Sequence, residues 1–293
     1  METTVPEKWG REMSFSEREV LGISPNGFHR LAYTQWGEGN TRDLICVHGL
    51  TRNGRDFDAI AKDLSDHYRV VCLDMPGRGR SDWLKTPLNY GPPIYMGDMV
   101  ALIARLGGTE VDWIGTSMGA LVGMLMAAQD KSPIRRLVLN DAGPFLPKSA
   151  LERIAAYVGT DREFADQDDL EAYLREVHAS FGPLTDAQWE HLATHSGRID
   201  DAGRLRLHYD PSIAAPFTAA PPQDVDMWAI WDAIQCPVLL LRGAESDLLL
   251  KETAEEMTRR GPKATLVEFD GVGHAPALMD ADQIQVVRDW LLA

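Results

Sequence analysis

The chain has 293 residues, 44% hydrophobic and 25% charged, which suits one α/β domain with an insertion and excludes bulk disorder. Its formal charge is −15, from 29 Lys and Arg against 44 Asp and Glu; so acidic a surface repels phosphate backbones and anionic lipid, and argues against nucleic acid and membrane as partners. The opening residues carry Glu2, Glu7, Lys8, Arg11 and Glu12 with no apolar stretch, and no run approaches the ~20 apolar residues that cross a bilayer, so neither signal peptide nor membrane span is expected.

In chain order, a polar arm of about 15 residues comes first. Two β-type segments follow, 18–23 and 30–36, joined by the turn signal Asn26-Gly27 and so expected as an antiparallel hairpin. Short unpatterned apolar runs at 43–48 and 69–73 read as strands buried on both faces of a parallel sheet, and 111–114, 136–140, 237–242 and 265–269 read as further strands. Helical spacing at 57–64, 96–106, 117–129, 251–260 and 284–292 alternates with them, and Gly107-Gly108 stops the second of these helices. This rhythm breaks over 143–223, where helices are expected at 149–158, 168–181 and 185–195 with no buried strand, and Pro216–Pro222 marks the return. The division expected is a core of 1–142 and 224–293 with a helical cap, or lid, inserted as 143–223. Cys46, Cys72 and Cys236 are an odd, scattered set without CxxC spacing; they read as free thiols, Cys46 and Cys72 inside buried strands, and point to a reducing cytoplasm.

Four motifs carry chemistry. Gly115-Thr-Ser-Met-Gly119 lies between a strand and a helix, where a sharp turn projects Ser117 free of its own sheet and needs glycine on either side. His48-Gly49-Leu50 ends an earlier strand and offers a close backbone approach; the N–H groups of Leu50 and Met118 are the expected oxyanion hole, and His48 reads as a histidine that holds the loop rather than as a base. Gly243-Ala-Glu-Ser-Asp247 follows a later strand, so Asp247 is the expected acid, with Asp141 and Glu245 as rivals. Gly271-Val-Gly-His-Ala275 follows the last strand and supplies His274 as the base. His178, His191, His195 and His208 lie in the cap and read as surface or lid residues; no HExxH spacing exists, and neither metal nor cofactor is expected.

The order Ser117, Asp247, His274 suits a triad on strand ends. With the segment Asp74-Met-Pro-Gly-Arg-Gly-Arg-Ser-Asp82, these motifs resemble the α/β-hydrolase superfamily of the capped serine hydrolase and esterase type, from about Ile23 to the C-terminus. The resemblance implies an α/β-hydrolase fold: a mostly parallel eight-stranded sheet with helices on both faces, an inserted helical cap and no cofactor. Dehalogenases and epoxide hydrolases of this superfamily carry a carboxylate where this chain has Ser117. Hydrolases of meta-cleavage products often have an aromatic residue after the histidine, where this chain has Ala275.

The expected function is hydrolysis of a small or medium carboxylic ester through an acyl-enzyme. Lactone or C–C bond hydrolysis, cofactor-free haloperoxidase or acyltransferase activity, and a ligand receptor with this fold stay open as alternatives. Candidate pocket walls are Trp83, Phe145, Leu146, Leu248 and Ala275, besides Leu50 and Met118; Arg78, Arg80, Arg135 and Arg198 are available for an anionic substrate. Oligomeric state is not legible.

Overall fold

The computed structural model describes residues 15–293, so the expected N-terminal arm lies outside the described residues. Strands β1 (Phe15–Ser24) and β2 (Gly27–Trp36) form the antiparallel hairpin, closing with Ser24 opposite Gly27. Next come β3 (Asp43–Val47), α1 (Asp58–Leu64), β4 (Arg69–Leu73), α2 (Pro92–Leu106), β5 (Val111–Thr116), α3 (Met118–Ala127) and β6 (Ile134–Asn140). The chain then runs through β7 (Phe145–Leu146), α4 (Lys148–Tyr157), β8 (Glu163–Phe164), α5 (Gln167–Val177), α6 (Asp186–Ser196), β9 (Gly197–Ile199), β10 (Leu205–Leu207), α7 (Ala215–Thr218), β11 (Val225–Asp226) and α8 (Trp228–Ala233). It ends with β12 (Val238–Gly243), α9 (Lys251–Met257), β13 (Thr265–Phe269) and α10 (Ala281–Leu292).

Eight strands make one sheet in the order β1-β2-β4-β3-β5-β6-β12-β13. Only β1 and β2 run antiparallel to their neighbours; β4 through β13 are parallel. The period-2 alternation of side chains sorts the buried strands onto two faces. Ile45, Val47, Val71, Leu73, Trp113, Leu137, Leu139 and Leu240 join Met99, Leu102, Ala120 and Met124 of α2 and α3 in one core. Leu44, Cys46, Val70, Cys72, Ile114, Val138, Leu239 and Leu241 join Ile60 and Leu64 of α1 and Val287 and Leu291 of α10 in the other. This two-sided burial is why the runs carried no polar alternation.

Between β6 and β12 the chain leaves the sheet. Helices α4, α5 and α6 match the expected ones to within a few residues, and Thr185 and Gln188 form a capping box at the start of α6. No strand here is buried along its length, but short ones occur: β8, β10 and β9 form a small antiparallel sheet, and β11 pairs with β7. Strands of two or three residues are too short to show a period. The segment is anchored to the loops after β3 and β4: Arg52 donates to Ser196 (2.8 Å), Asn53 Nδ2 to the His195 carbonyl (2.8 Å), the Tyr90 hydroxyl to Asp210 (2.5 Å), and the Gly79 N–H to the His208 carbonyl (2.9 Å).

Candidate active site

Ser117 sits between the end of β5 and the first turn of α3 with φ 53° and ψ −112°, a conformation that a side chain adopts only under strain. The turn is tight enough to require both flanking glycines. A Cβ on Gly115 would lie 2.2 Å from the Gly119 carbonyl oxygen, and one on Gly119 would lie 1.9 Å from the Val47 carbonyl oxygen. The same strain turns Ser117 out of the sheet toward the loop that carries His274.

His274 Nε2 lies 2.9 Å from Ser117 Oγ, and its Nδ1 lies 2.8 Å from Asp141 Oδ2. Asp141, in the turn after β6, is fully buried and holds φ 56°, a left-handed conformation that aspartate tolerates better than most residues. Its Oδ1 accepts the Gly243 N–H (2.8 Å), and its Oδ2 also accepts the Ser246 hydroxyl (2.6 Å). These donors fix the carboxylate and aim it at the imidazole. The His274 loop is fixed from both sides: Ser180 Oγ donates to the His274 carbonyl (2.6 Å), and Asn140 Nδ2 to the Pro276 carbonyl (2.7 Å).

The expectation for Asp247 is corrected here. Its side chain is 50% exposed and makes a two-bond ion pair with Arg153 of α4, to Nε at 2.5 Å and to the terminal nitrogen at 2.7 Å. Glu245 is exposed as well. The loop 243–247 serves the imidazole indirectly, by giving Asp141 two of its donors. Strands β6 and β12 are neighbours, so Asp141 and Asp247 emerge side by side; the turn after β6 points inward, and Arg153 draws Asp247 outward.

His48 holds its loop. It is fully buried; Nδ1 donates to the Gly49 carbonyl (2.7 Å), and Nε2 accepts the Met75 N–H (2.9 Å). Burial lowers its pKa to about 3, helped by the nearby Arg78 cation, so the ring is neutral. An unfolded chain takes up this proton near pH 6.5 and the folded chain only near 3. The stability that the neutral ring supplies is therefore full above pH 6.5 and is lost as pH falls toward 3. We expect the stability of the protein to decline between pH 6.5 and 5 more steeply than that of His48→Gln, by up to roughly 1.4 kcal/mol per pH unit. Urea denaturation of both proteins across this range checks it; parallel curves would remove His48 as the cause.

Met118 opens α3, so its N–H has no acceptor within the helix. Leu50 lines the same space as Ser117. Arg78, fully buried, touches both of these residues: Nε donates to the Leu50 carbonyl (2.8 Å), and a terminal nitrogen reaches Met118 Sδ (3.6 Å). Its other bonds go to the Pro76 carbonyl and the Tyr95 hydroxyl, both 2.8 Å. Among the described residues no carboxylate pairs with it, and the ring faces of Tyr90 and Tyr95 flank the cation instead.

Two chambers meet at Leu50, Ser117 and Ile154. The larger, about 640 Å³, is apolar and includes the expected walls Leu50, Met118, Leu146 and Leu248, together with Leu121, Leu151 and Phe217. The smaller, about 60 Å³, is lined by Ala275 as expected and by Arg52, Asp56, Arg153, Tyr157 and His178, none of which the motifs disclosed as walls. Trp83 and Phe145 line neither chamber. Trp83 is 42% exposed and lies under the Arg198 guanidinium, and Phe145 pairs with Asp226 in the β7–β11 ladder. Of the arginines offered for an anion, Arg78 is walled in, Arg80 pairs with Glu17, Arg135 with Asp112, and Arg198 covers Trp83. His178 is buried and stacked on Phe181 rather than being a surface residue, and burial keeps it uncharged.

One group of possible metal ligands occurs among the described residues. Asp58, His191 and His195 bring ligand atoms within 4.8 Å of one another, but both Asp58 oxygens are held by Arg55, whose charge opposes a second cation.

Known proteins resemble this chain in sequence and in fold. A 3-hydroxybutyrate-oligomer hydrolase of Cupriavidus necator is 49% identical over 280 residues, covering 92% of this chain and 96% of that protein. An α/β hydrolase structure from Novosphingobium aromaticivorans superposes with a TM-score of 0.85 at 38% identity, covering 96% of this chain and 99% of the other. A solved chain from Rickettsia typhi superposes with a TM-score of 0.88 at 31% identity and the same coverage. The model of the alpha/beta hydrolase family matches residues 44–288, from β3 into α10, and the chain belongs to that family.

Proposed function

We propose that this carboxylic ester hydrolase works through an acyl-enzyme on Ser117, with His274 as base and Asp141 as the group that orients it. The observation that carries the reading is the unbroken line Ser117 Oγ, His274 Nε2, His274 Nδ1, Asp141 Oδ2, joined at 2.9 and 2.8 Å. Ser117 Oγ bonds to the ester carbonyl carbon while His274 takes its proton. The oxyanion is received by the N–H groups of Leu50 and Met118, at the positive end of α3, and the Arg78 bonds support that assignment. The C–O bond then breaks, and the proton on His274 passes to the leaving alkoxide. A water deprotonated by His274 attacks the acyl-enzyme and returns Ser117 and the acid.

The substrates we assign are short oligomeric esters of hydroxy acids, as the name of the Cupriavidus necator relative suggests. Two unequal chambers flanking one serine support it, since each side of the ester needs its own space. We assign 143–223 to the cap, because Tyr157, His178, Leu151 and Phe217 close the chambers over the sheet. Cys46 and Cys72 face each other across β3 and β4 as free buried thiols, which supports a reducing cytoplasm. No helix among the described residues is long and apolar enough to cross a membrane.

Treatment with a fluorophosphonate, followed by intact mass and peptide mapping, should give one adduct on Ser117, with turnover of p-nitrophenyl acetate and of a 3-hydroxybutyrate dimer. An adduct elsewhere, or no adduct and no turnover, overturns the mechanism.

A further inference from the structure

We infer that the small chamber is a carboxylate subsite, with Arg153 and Tyr157 as its donors, so that the enzyme takes esters from their free-acid end and releases one hydroxy acid at a time. The inference rests on the ester-hydrolase reading above and adds which end of the substrate is held, and by what.

The chambers differ in kind as well as in size. The large one is walled by Leu121, Leu146, Leu151, Phe217 and Leu248 and can take the acyl side of an oligomer. The small one has room for about four waters, which a short acid group would replace. Its wall carries two arginines and one carboxylate. Arg52 and Asp56 satisfy each other through two bonds of 2.8 and 2.7 Å, and Arg52 spends a third donor on Ser196. His178 is neutral because burial and the Arg52 cation both disfavour its charge. Arg153 is also paired, with Asp247, but unlike Arg52 it keeps one terminal nitrogen that neither a carboxylate nor a serine hydroxyl consumes.

Asp247 binds Arg153 through Nε and one terminal nitrogen and is not itself a wall residue. That pair orients the guanidinium and leaves the second terminal nitrogen for another acceptor. Tyr157, one turn along α4, stands beside Arg153, and burial pushes its phenol up, so it remains an O–H donor. In an ester of a 3-hydroxy acid, the leaving oxygen and the terminal carboxylate are separated by only a few bonds. A carboxylate in the small chamber thus leaves the ester carbonyl at Ser117 and the acyl chain in the large one. In a chain of net charge −15, a local cation is what allows an anionic end to bind.

The test compares a 3-hydroxybutyrate dimer as free acid with its neutral methyl ester. The wild type should favour the acid in kcat/KM, mainly through KM. Arg153→Met should cut the acid-over-ester preference by roughly 10- to 100-fold, the scale of a charge-assisted bond. Arg153→Lys should restore part of it, and Tyr157→Phe should cut it by a smaller factor. With tetramer as substrate, monomer and trimer should appear together in the first turnovers, and dimer formed directly from tetramer would overturn release one unit at a time. Equal handling of acid and methyl ester by the wild type overturns the subsite, as does an unchanged preference in both Arg153→Met and Tyr157→Phe. Ser117 labelling and p-nitrophenyl acetate turnover in the same preparation show whether the hydrolase reading fails with it or survives it.

Discussion

Ser117→Ala is expected to lower kcat on p-nitrophenyl acetate by on the order of 10⁶, since no other side chain can form the acyl-enzyme. Residual activity should then be on the order of 10³ over water, supplied by binding and the oxyanion donors alone. The fold should tolerate the change, because alanine removes one oxygen and keeps the Cβ. The melting temperature should stay within a few degrees, because alanine meets the same backbone conformation at φ 53° as serine does. Steady-state kinetics beside a thermal melt check both halves. Turnover near the wild-type level would end the assignment of Ser117.

Asp141→Asn should lower kcat by about 10⁴, whereas Asp247→Asn should change turnover of a neutral ester by less than about tenfold. Asparagine at 141 can offer an N–H where His274 Nδ1 needs an acceptor, so the imidazole is held in the wrong tautomer or released. It would also face the Ser246 hydroxyl and the Gly243 N–H, so two donors beside it lose their charged acceptor. Asp247 has no contact with the imidazole; its loss loosens Arg153 and should be felt on free-acid substrates. Both variants assayed on p-nitrophenyl acetate decide the matter, and the reverse ranking would return the acid to the loop after β12.

How much of this was legible follows from the range over which each signal acts. The buried strands and the helices that cover them are marked by apolar runs and 3.6-residue spacing, which are local. Ser117 is legible because its turn places glycines on both sides within five residues. His274 is legible because it follows the last strand just after two closely spaced glycines, Gly271 and Gly273. The short strands β8, β9 and β10 are not legible, because two or three residues carry no period.

The chain's own order of residues thus determined the fold class and pointed to Ser117 and His274, which the fold brings within 2.9 Å of each other. It did not determine the acid. Asp141 and Asp247 each follow a strand at the same edge of the sheet, and both precede His274, so spacing cannot separate them. The choice was made by contacts between residues about a hundred positions apart: Gly243 and Ser246 donate to Asp141, while Arg153 of α4 holds Asp247 away. The small chamber is of the same kind, with Arg52 from the loop after β3, Arg153 and Tyr157 from α4, and His178 from the end of α5. A hydrogen bond or ion pair has its worth only when its partners meet, and tertiary packing alone decides which of them do.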